Sequence, residues 1–306
     1  MKEVFKSIGM VSQSRVTVLV LGESGTGKEL VARAVHRASP DAAAPFIAVN
    51  CAALVETLLE SEMFGHERGA FTGAVSARKG KVELAGTGTL FLDEIGELSP
   101  RMQGKLLRLL EEREYSPVGS GKTLRSDARF ITATNLDLAA RVKEGEFRED
   151  LYYRLHVVNL GLPPLRERLD DVGPLVEHLL RRINREVRKG IRRVTSDVMD
   201  ALIAFDWPGN VRQLENVLMK AVVMAQGDTL TLADLPAEIA AGRTNGEGAE
   251  TGGETGHMSL KDIERRHIEE VLASTGWHKG RACEILGISR PRLERRLREF
   301  AIEPAR

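Results

Sequence analysis

The segment Gly22–Glu29, GESGTGKE, constrains the fold most strongly, because it follows an apolar run at Val16–Leu21 and precedes an amphipathic helical pattern. A strand, a glycine-rich loop and a helix in this order cradle phosphates, since backbone N–H groups point at the anion. Gly22, Gly27 and Lys28 satisfy the pattern G-x-x-x-x-G-K. An ordinary glycine turn is the alternative. The predicted nucleotide-binding residues are Gly22, Glu23, Ser24, Gly25, Thr26, Gly27, Lys28 and Glu29.

The run Thr89–Glu94, TLFLDE, is an apolar segment that ends in two acids. Such a run is typical of a strand buried on both faces of a parallel sheet. Asp93 can hold Mg²⁺ and Glu94 can polarise a water for attack on the γ phosphate. Because Glu29 stands where a Ser or Thr commonly contacts the ion, one Mg²⁺ contact must be supplied differently. A buried strand capped by solvated acids is the alternative, but the phosphate loop favours nucleoside triphosphate hydrolysis.

The bulk composition narrows the location and the partners of the chain. The formal net charge is zero, so any nucleic-acid binding must be local. Cys51 and Cys283 lie far apart and do not suggest a disulfide framework, which fits a reducing cytoplasm. The apolar run before the phosphate loop is too short to span a bilayer. We therefore expect a soluble cytoplasmic protein without a membrane partner.

Strand and helix patterns alternate from Val16 to Leu162, which predicts an α/β fold with a parallel sheet covered by helices. The expected strands are Val16–Leu21, Phe46–Asn50, Thr89–Leu92, Arg129–Thr134 and His156–Leu160. Beyond 168 the strand pattern gives way to amphipathic helices. The segment 241–258 carries six glycines and few apolar side chains, which predicts a flexible linker. The predicted boundaries are 1–165 for the α/β core, 166–240 for a helical subdomain, 241–258 for the linker and 259–306 for a small helical domain.

The last segment has the pattern of a helix-turn-helix. A helix at 279–286 is followed by Gly287 as a stop and Ser289 as an N-cap, and the final helix runs from Pro291 to Phe300. In such a motif the second helix enters the DNA major groove, where arginines contact phosphates and guanine edges. A solvated face of a protein-binding bundle is the alternative. The arginines on the exposed side are Arg290, Arg292, Arg295, Arg296 and Arg298.

The phosphate loop with Glu29, the acidic strand end and the terminal helix-turn-helix together resemble the bacterial enhancer-binding proteins. These are NtrC-like, sigma-54-dependent transcriptional activators of the AAA+ class. The most specific match is GAFTGA at 69–74. The resemblance implies that this loop engages sigma-54, with Phe71 near its tip, although Phe71 folded back into the core is the alternative. The implied contacts are Gly69, Ala70, Phe71, Thr72, Gly73 and Ala74.

Further motifs carry implied roles in nucleotide chemistry. Asn50 in VNCAAL matches the asparagine that switches the catalytic glutamate according to nucleotide state. Thr134 and Asn135 in TATN match the first sensor, near the γ phosphate. Arg212 in WPGNVRQLEN matches the second sensor, which reaches the nucleotide from the helical lid.

The segment FREDLYYRL at 147–155 matches the one that carries two arginine fingers, here Arg148 and Arg154. An arginine from a neighbouring subunit stabilises charge that develops on the transferred phosphoryl group, so hydrolysis would depend on ring assembly. A local ion pair with Glu149 or Asp150 is the alternative.

The resemblance implies an ATPase that uses Mg²⁺ and assembles into a ring, which is hexameric by resemblance to the family. It further implies that the protein binds upstream double-stranded DNA and remodels sigma-54 RNA polymerase from the closed to the open promoter complex. A DNA-binding repressor with ATP-controlled assembly, or a general AAA+ remodeller, are the rival interpretations. Members usually carry a regulatory domain ahead of the ATPase, whereas only a short segment precedes the phosphate loop here. The chain is therefore expected either to be truncated or to be controlled from elsewhere.

Overall fold

A computed structural model describes residues 1–71, 74–241, 268, 271–272, 275, 277–286 and 290–300. The chain divides into two compact units, Met1–Thr244 and Asn245–Arg306, and each is described by itself. The predicted linker at 241–258, apart from residue 241, lies outside the described residues, and the predicted domain boundaries remain predictions. Within the described part of the chain, no helix is both long enough and apolar enough to cross a lipid bilayer.

A five-stranded parallel sheet organises the first unit, which confirms the predicted α/β class. Its strands are ordered β2-β5-β8-β1-β9. They are β1 (Val18–Leu21), β2 (Phe46–Asn50), β5 (Thr89–Asp93), β8 (Arg129–Thr134) and β9 (Val158–Gly161). The three inner strands are almost wholly buried, because helices cover both faces of the sheet.

The helices of this core are α1 (Lys2–Ser12), α2 (Lys28–Arg37), α3 (Glu56–Phe64), α4 (Lys81–Ala85), α5 (Pro100–Glu111), α6 (Leu138–Lys143) and α7 (Glu149–Leu155). Side chains on β1 alternate between the two faces of the sheet. Val18 and Val20 pack with α1 and α2, whereas Leu19 packs with residues of α3, α5 and α7.

Helix α1 packs under the sheet and is held by a buried arginine. Its Val4, Ile8 and Val11 share one face and join the core around β1. The fully buried Arg129 of β8 donates to the carbonyl oxygens of Val11 at 2.7 Å and Ser12 at 3.2 Å. The segment before the phosphate loop is therefore part of the α/β core.

Two of the five strands begin later than the sequence predicts. Strand β1 starts at Val18 instead of Val16, because the ladder with β8 and β9 starts there. Strand β9 starts at Val158 instead of His156, because the N–H of His156 still closes α7 by donating to Tyr152 O at 2.9 Å. The other three begin where they were predicted, and β5 extends one residue further, to Asp93.

A helical layer follows the sheet within the same unit. It comprises α8 (Val172–Val187), α9 (Ser196–Ala204), α10 (Asn210–Met224) and α11 (Ala237–Ala240), with short strands β10 (Arg193–Val194) and β11 (Thr229–Leu230). We call it the lid. Its core contains the fully buried Trp207, whose Nε1 donates to Leu202 O at 2.7 Å.

Two small antiparallel hairpins complete the first unit. One joins β3 (Gly65–His66) to β4 (Arg78–Lys79), and the other joins β6 (Glu114–Tyr115) to β7 (Leu124–Arg125). At the base of the first, Gly65 has φ +80°, and a Cβ there would lie 2.7 Å from the backbone nitrogen of Gly80. Only glycine fits this crossing, because it combines a positive φ with a close backbone approach.

The second unit contains α12 (Lys279–Leu286) and α13 (Arg290–Glu299). Leu293 is fully buried among Ile268, Leu272 and Ala282, and Leu297 and Phe300 pack against this cluster. The predicted inner face of the last helix is therefore confirmed. Gly287 and Ser289 lie outside the described residues, as does most of the preceding helix predicted at 259–273.

Candidate functional site

The phosphate loop connects the end of β1 to the start of α2. Gly25 and Gly27 have φ of +79° and +101°, which a Cβ would strain. Thr26 Oγ1 donates to Glu23 O at 2.8 Å and closes the turn. This backbone leaves the N-terminus of α2 at the mouth of the loop, where its N–H groups and dipole favour an anion.

Lys28 is 6% exposed and folds back over the loop. Its ammonium donates to Gly22 O at 2.9 Å and to Glu23 O at 3.2 Å. Burial lowers the pKa of Lys28, while Asp93 and Glu94 act in the opposite direction. These two acceptors are neutral carbonyl oxygens, and a phosphate would make a stronger hydrogen bond with the ammonium because a charged acceptor binds it more strongly than a neutral one.

The acidic end of β5 lies in the same sheet edge as the loop. In the β2–β5 register, Asn50 stands opposite Asp93. Asp93 Oδ1 accepts from the N–H of Glu94 at 3.0 Å, and Glu94 has a left-handed backbone (φ +57°) as the chain turns into a short 3₁₀ helix. Burial raises the pKa of Asp93, with the charge of Lys28 opposing that effect.

The chemistry of these side chains fits Mg²⁺ shared with a nucleotide. Within the described residues there is no group of three or more His, Cys, Asp or Glu that could hold a metal alone. Mg²⁺ is commonly bound by one or two carboxylates together with substrate phosphates. Asp93 can provide such a carboxylate. Glu29 forms an i,i+4 ion pair with Arg33 at 2.7 Å on the exposed face of α2.

The predicted switch residue Asn50 and the predicted first-sensor residues lie at the carboxyl ends of β2 and β8, the two strands that flank β5. Asn50 Oδ1 accepts from the N–H groups of Ala52 and Ala53, at 2.9 and 3.0 Å, and so belongs to its own turn here. Thr134 is buried at the end of β8, beside Leu21 of β1, and is followed by Asn135. A cavity of about 440 Å³ opens here, and its walls include Gly22, Glu23, Thr134, Asn135, Tyr152 and His156.

The lid contacts the phosphate loop directly. Arg212 Nη1 donates to Ser24 Oγ at 3.0 Å, and the N–H of Val211 donates to Gly25 O at 3.0 Å. A Cβ on Gly25 would clash with the carbonyl oxygen of Gly209. The structure thus brings Arg212 and the phosphate loop together.

Three residues that the sequence analysis missed reinforce this junction. Asn210 and Arg166 both contact the carboxylate of Glu23, and Arg168 Nη2 donates to Thr26 O at 3.0 Å. Hydrogen bonds from Arg166 and Asn210 lower the pKa of Glu23 to about 2. The sequence contains little indication of these contacts, because Asn210 and Glu23, for example, are 187 positions apart.

The two predicted arginine fingers have partners within their own chain, away from the phosphate loop. Arg148 precedes α7 and forms a bidentate ion pair with Asp150, with distances of 3.0 and 2.7 Å. Arg154 Nη2 donates to Leu110 O on α5 at 3.0 Å. The local partner that the sequence analysis considered for Arg148 is therefore present in this structure.

The described residues of the GAFTGA segment, 69–71 and 74, lie at the end of the β3–β4 hairpin. Gly69 has φ +81°, and its N–H donates to Ala74 O at 2.9 Å, which narrows the neck of the loop. The ring of Phe71 is 40% exposed and contacts His66 edge-on at 5.0 Å. Thr72 and Gly73 lie outside the described residues. The β6–β7 hairpin supports the loop, since a Cβ on Gly119 would lie 2.8 Å from that of Ala70.

The arginines of α13 differ in their surroundings. Arg290 and Arg295 are exposed, and Arg290 lies 3.7 Å from the carboxylate of Glu294. Arg296 is half-buried, with its guanidinium 5.6 Å from the centre of the Phe300 ring. The side chains of Arg292 and Arg298 lie outside the described residues. Arg296 is thus less exposed than the sequence predicts, because its guanidinium lies over Phe300.

Comparisons with known proteins agree with this geometry. Residues 1–161 match the family model described as Sigma-54 interaction domain, residues 166–251 the AAA+ ATPase lid domain, and residues 259–300 the Bacterial regulatory protein, Fis family.

Among curated proteins, the chain is 48% identical over 309 residues to the regulatory protein AtoC of Escherichia coli (strain K12), which covers 100% of this chain and 67% of AtoC. It is 48% identical over 293 residues to the transcriptional regulatory protein ZraR of Salmonella typhimurium, which covers 96% of this chain and 65% of ZraR. The chain therefore spans about two thirds of the length of these relatives.

Among solved structures, that of NtrX from Brucella abortus in complex with ADP matches with a TM-score of 0.76 and 31% identity, covering 98% of this chain and 67% of NtrX. The structure of the same protein in complex with ATP gives a TM-score of 0.76 and 32% identity, covering 99% of this chain and 68% of NtrX. These matches confirm the predicted fold class, an AAA+ α/β core with a helical lid and a helix-turn-helix domain.

Proposed function

Because the chain belongs to the sigma-54-dependent transcriptional activators, whose sigma-54 interaction domain is an AAA+ ATPase, we propose that it uses ATP hydrolysis to convert sigma-54 RNA polymerase from a closed to an open promoter complex. One observation carries this proposal. The sequence contains the full GAFTGA motif, and its described residues, 69–71 and 74, lie at the end of a hairpin of the same domain whose sheet edge holds the phosphate loop and the acids Asp93 and Glu94.

The nucleotide chemistry is divided among residues at the sheet edge. The N-terminus of α2 and Lys28 bind the phosphates, and Glu94 orients the attacking water and accepts its proton. Asp93 holds Mg²⁺, which neutralises charge on the phosphate oxygens when bound. Thr134, Asn135 and Arg212 contact the nucleotide as sensors, and Asn50 changes partner to reach Glu94. Each of these roles agrees with the position of the residue at the carboxyl ends of the strands or on the adjoining lid.

Arg148 and Arg154 act on the nucleotide of a neighbouring subunit in a ring. The ring is hexameric, as the resemblance to the family implies. Arg148 is half-exposed and its ion pair with Asp150 is open to solvent. Such an exposed pair contributes only about 0–1 kcal/mol, so a phosphate of the neighbouring site can compete for the guanidinium. The ring thereby makes hydrolysis depend on assembly.

The helix-turn-helix domain tethers the ATPase to double-stranded DNA upstream of the promoter. Tethering raises the effective concentration of the ATPase at the polymerase, which strengthens a weak contact without new interactions. A role at promoter DNA also places the protein in the cytoplasm.

Thr72 in the centre of GAFTGA provides the test of the activator function. We expect purified protein to bind sigma-54 stably only with ADP and aluminium fluoride, which mimic the transferring phosphoryl group. We expect Thr72→Ala to lose this complex and open-complex formation while ATP hydrolysis stays within about twofold, because Thr72 is not among the residues proposed to contact the nucleotide. A pull-down with sigma-54 and a phosphate-release assay measure the two effects.

Ser76→Ala is the matched control, because it removes one hydroxyl from an exposed position of the same hairpin outside the motif. It should keep both the complex and hydrolysis. A Thr72→Ala protein that still activates transcription would contradict the proposal that the loop contacts sigma-54. Hydrolysis without any sigma-54 complex in the unaltered protein would favour the repressor or the general remodeller.

The exposed Arg295 provides a test of DNA binding. We expect Arg295→Ala to weaken binding to a short duplex of mixed sequence and to reduce the slope of log affinity against log salt by about one, as for the loss of one phosphate contact. Fluorescence anisotropy at several salt concentrations measures this slope. Arg185→Ala removes the same charge from an exposed position of the lid and should leave the slope unchanged. Equal slopes for Arg295→Ala and the unaltered protein would contradict the assignment.

A further inference from the structure

Asn210 joins three segments of the first unit through one buried side chain. It is fully buried at the first position of α10 and has a left-handed backbone, with φ +51°. Its Nδ2 donates to Glu23 Oε2 at 3.0 Å and to Ser24 O at 3.1 Å, and its Oδ1 accepts from the N–H of Leu165 at 2.7 Å. A strained backbone persists only where surrounding contacts hold it, and these three contacts do so.

The carboxylate of Glu23 faces the lid side of the phosphate loop. Arg166 Nη1 and Nη2 donate to Glu23 Oε2 at 2.9 Å and Oε1 at 2.5 Å. This bidentate arrangement fixes the orientation of the carboxylate relative to the guanidinium. The carbonyl of the same Glu23 accepts from Lys28 Nζ and Thr26 Oγ1 inside the loop. Glu23 therefore belongs to the phosphate loop through its backbone and to the lid junction through its side chain.

Arg212 depends on this junction for its position. It lies two residues after Asn210, its side chain is exposed, and it reaches Ser24 Oγ at 3.0 Å. Between the two, the N–H of Val211 donates to Gly25 O at 3.0 Å. A shift of the first turn of α10 away from Glu23 would carry Val211 and Arg212 away from the loop together.

We propose that Glu23 is a positioning residue that latches the lid to the phosphate loop through Arg166 and Asn210 and so sets where Arg212 stands over the nucleotide. The inference rests on the proposed nucleotide binding, and it assigns Glu23 a task other than contact with the phosphates. The same latch couples the loop to the lid, because any rearrangement of the loop backbone around a nucleotide moves the carboxylate that holds α10.

Hydrogen exchange at the amide of Val211, without nucleotide, is the first test. Glu23→Gln keeps the size of the side chain but removes the charge that Arg166 contacts. We expect this amide to exchange about tenfold faster or more in Glu23→Gln, since local opening sets its protection. Glu215→Gln is the control, because Glu215 pairs with Arg182 inside the lid at a similar exposure. It should leave Val211 unchanged.

The second test is a double-mutant cycle between Glu23 and Arg212, measured as affinity for the β,γ-imido analogue of ATP. If Glu23 acts by positioning Arg212, Arg212→Ala should weaken binding by about tenfold in the unaltered protein but by about twofold or less in Glu23→Gln, because residues in one network are not additive. Equal losses in both backgrounds, or unchanged exchange at Val211, would overturn the latch.

Arg166→Gln approaches the same contact from the other side and should reproduce both effects, which keeps the test valid if Glu23→Gln folds poorly. The two levels of the proposal fail separately. An unaltered protein that does not bind the analogue would contradict the proposed nucleotide site, while the exchange at Val211 would still decide whether Glu23 holds the lid.

Discussion

Replacing Lys28 with alanine is expected to weaken ATP binding by at least about 30-fold, because truncating one partner of a buried hydrogen-bonded charge pair costs about 2–5 kcal/mol or more. Lys28 is the buried cation that folds over the loop between β1 and α2, and its ammonium already lies within 3.2 Å of two loop carbonyls. The substitution removes the cation of the loop and leaves the backbone N–H groups and the helix dipole as the loop's own contribution to phosphate binding. Titration calorimetry with ADP and with the ATP analogue measures the loss.

Arg33→Ala is the control for this experiment. It removes a cation from the same helix, but Arg33 is half-buried, pairs with Glu29 and lies over the ring of Phe46. The affinity of this variant for nucleotide should stay within about twofold, because Arg33 is not among the residues proposed to bind the phosphates. Thermal unfolding of both variants separates lost binding from lost structure. A folded Lys28→Ala protein with unchanged ATP affinity would contradict the phosphate-loop assignment.

Replacing Glu94 with glutamine is expected to separate binding from hydrolysis. The amide keeps the size of the side chain but cannot accept a proton from water, so turnover should fall by about 10²–10⁴-fold, the usual contribution of a general base. Affinity for the ATP analogue should stay within about threefold, because binding of the unreacted nucleotide does not require proton transfer from water. Single-turnover phosphate release and titration calorimetry measure the two quantities.

Glu97→Gln provides the matched comparison, because Glu97 ends the same 3₁₀ turn but is exposed. It should hydrolyse ATP at the rate of the unaltered protein. Near-normal turnover in Glu94→Gln, or an equal loss in Glu97→Gln, would remove Glu94 from the catalytic role. The pair of variants thus tests the position of the carboxylate and not merely the net charge of the turn.

The sequence predicts the sheet well because its strands carry strong local signals. The run Leu90–Leu92 is apolar throughout and is followed by two acids. The spacing of the glycines before Lys28 is typical of a phosphate-binding loop. Helix α1 could also have been predicted, since Val4, Ile8 and Val11 follow the spacing of a helical face. The late start of β9 was harder to foresee, because His156 is as compatible with a strand as with a helix end.

The residues of the site could be predicted from the sequence more readily than the contacts between them. Arg166 and Glu23 are 143 positions apart, and no periodic pattern connects them. Their pairing arises only when the chain leaving β9 passes beside the phosphate loop. The sequence also could not decide the partner of Arg148, because both Glu149 and Asp150 follow it. The structure shows that Asp150 is the residue whose carboxylate contacts the guanidinium.

The glycine crossing beneath the β3–β4 hairpin determines how the tip of that hairpin behaves under load. Gly65 and Gly80 bring the two arms into backbone contact, and β3 continues directly from Phe64, the last residue of α3. A force on Phe71 would therefore be transmitted to α3, whose Phe64 and Met63 are buried in the core. Side chains at the crossing would push the two arms apart, and the tip of the hairpin would lose this direct connection to the core.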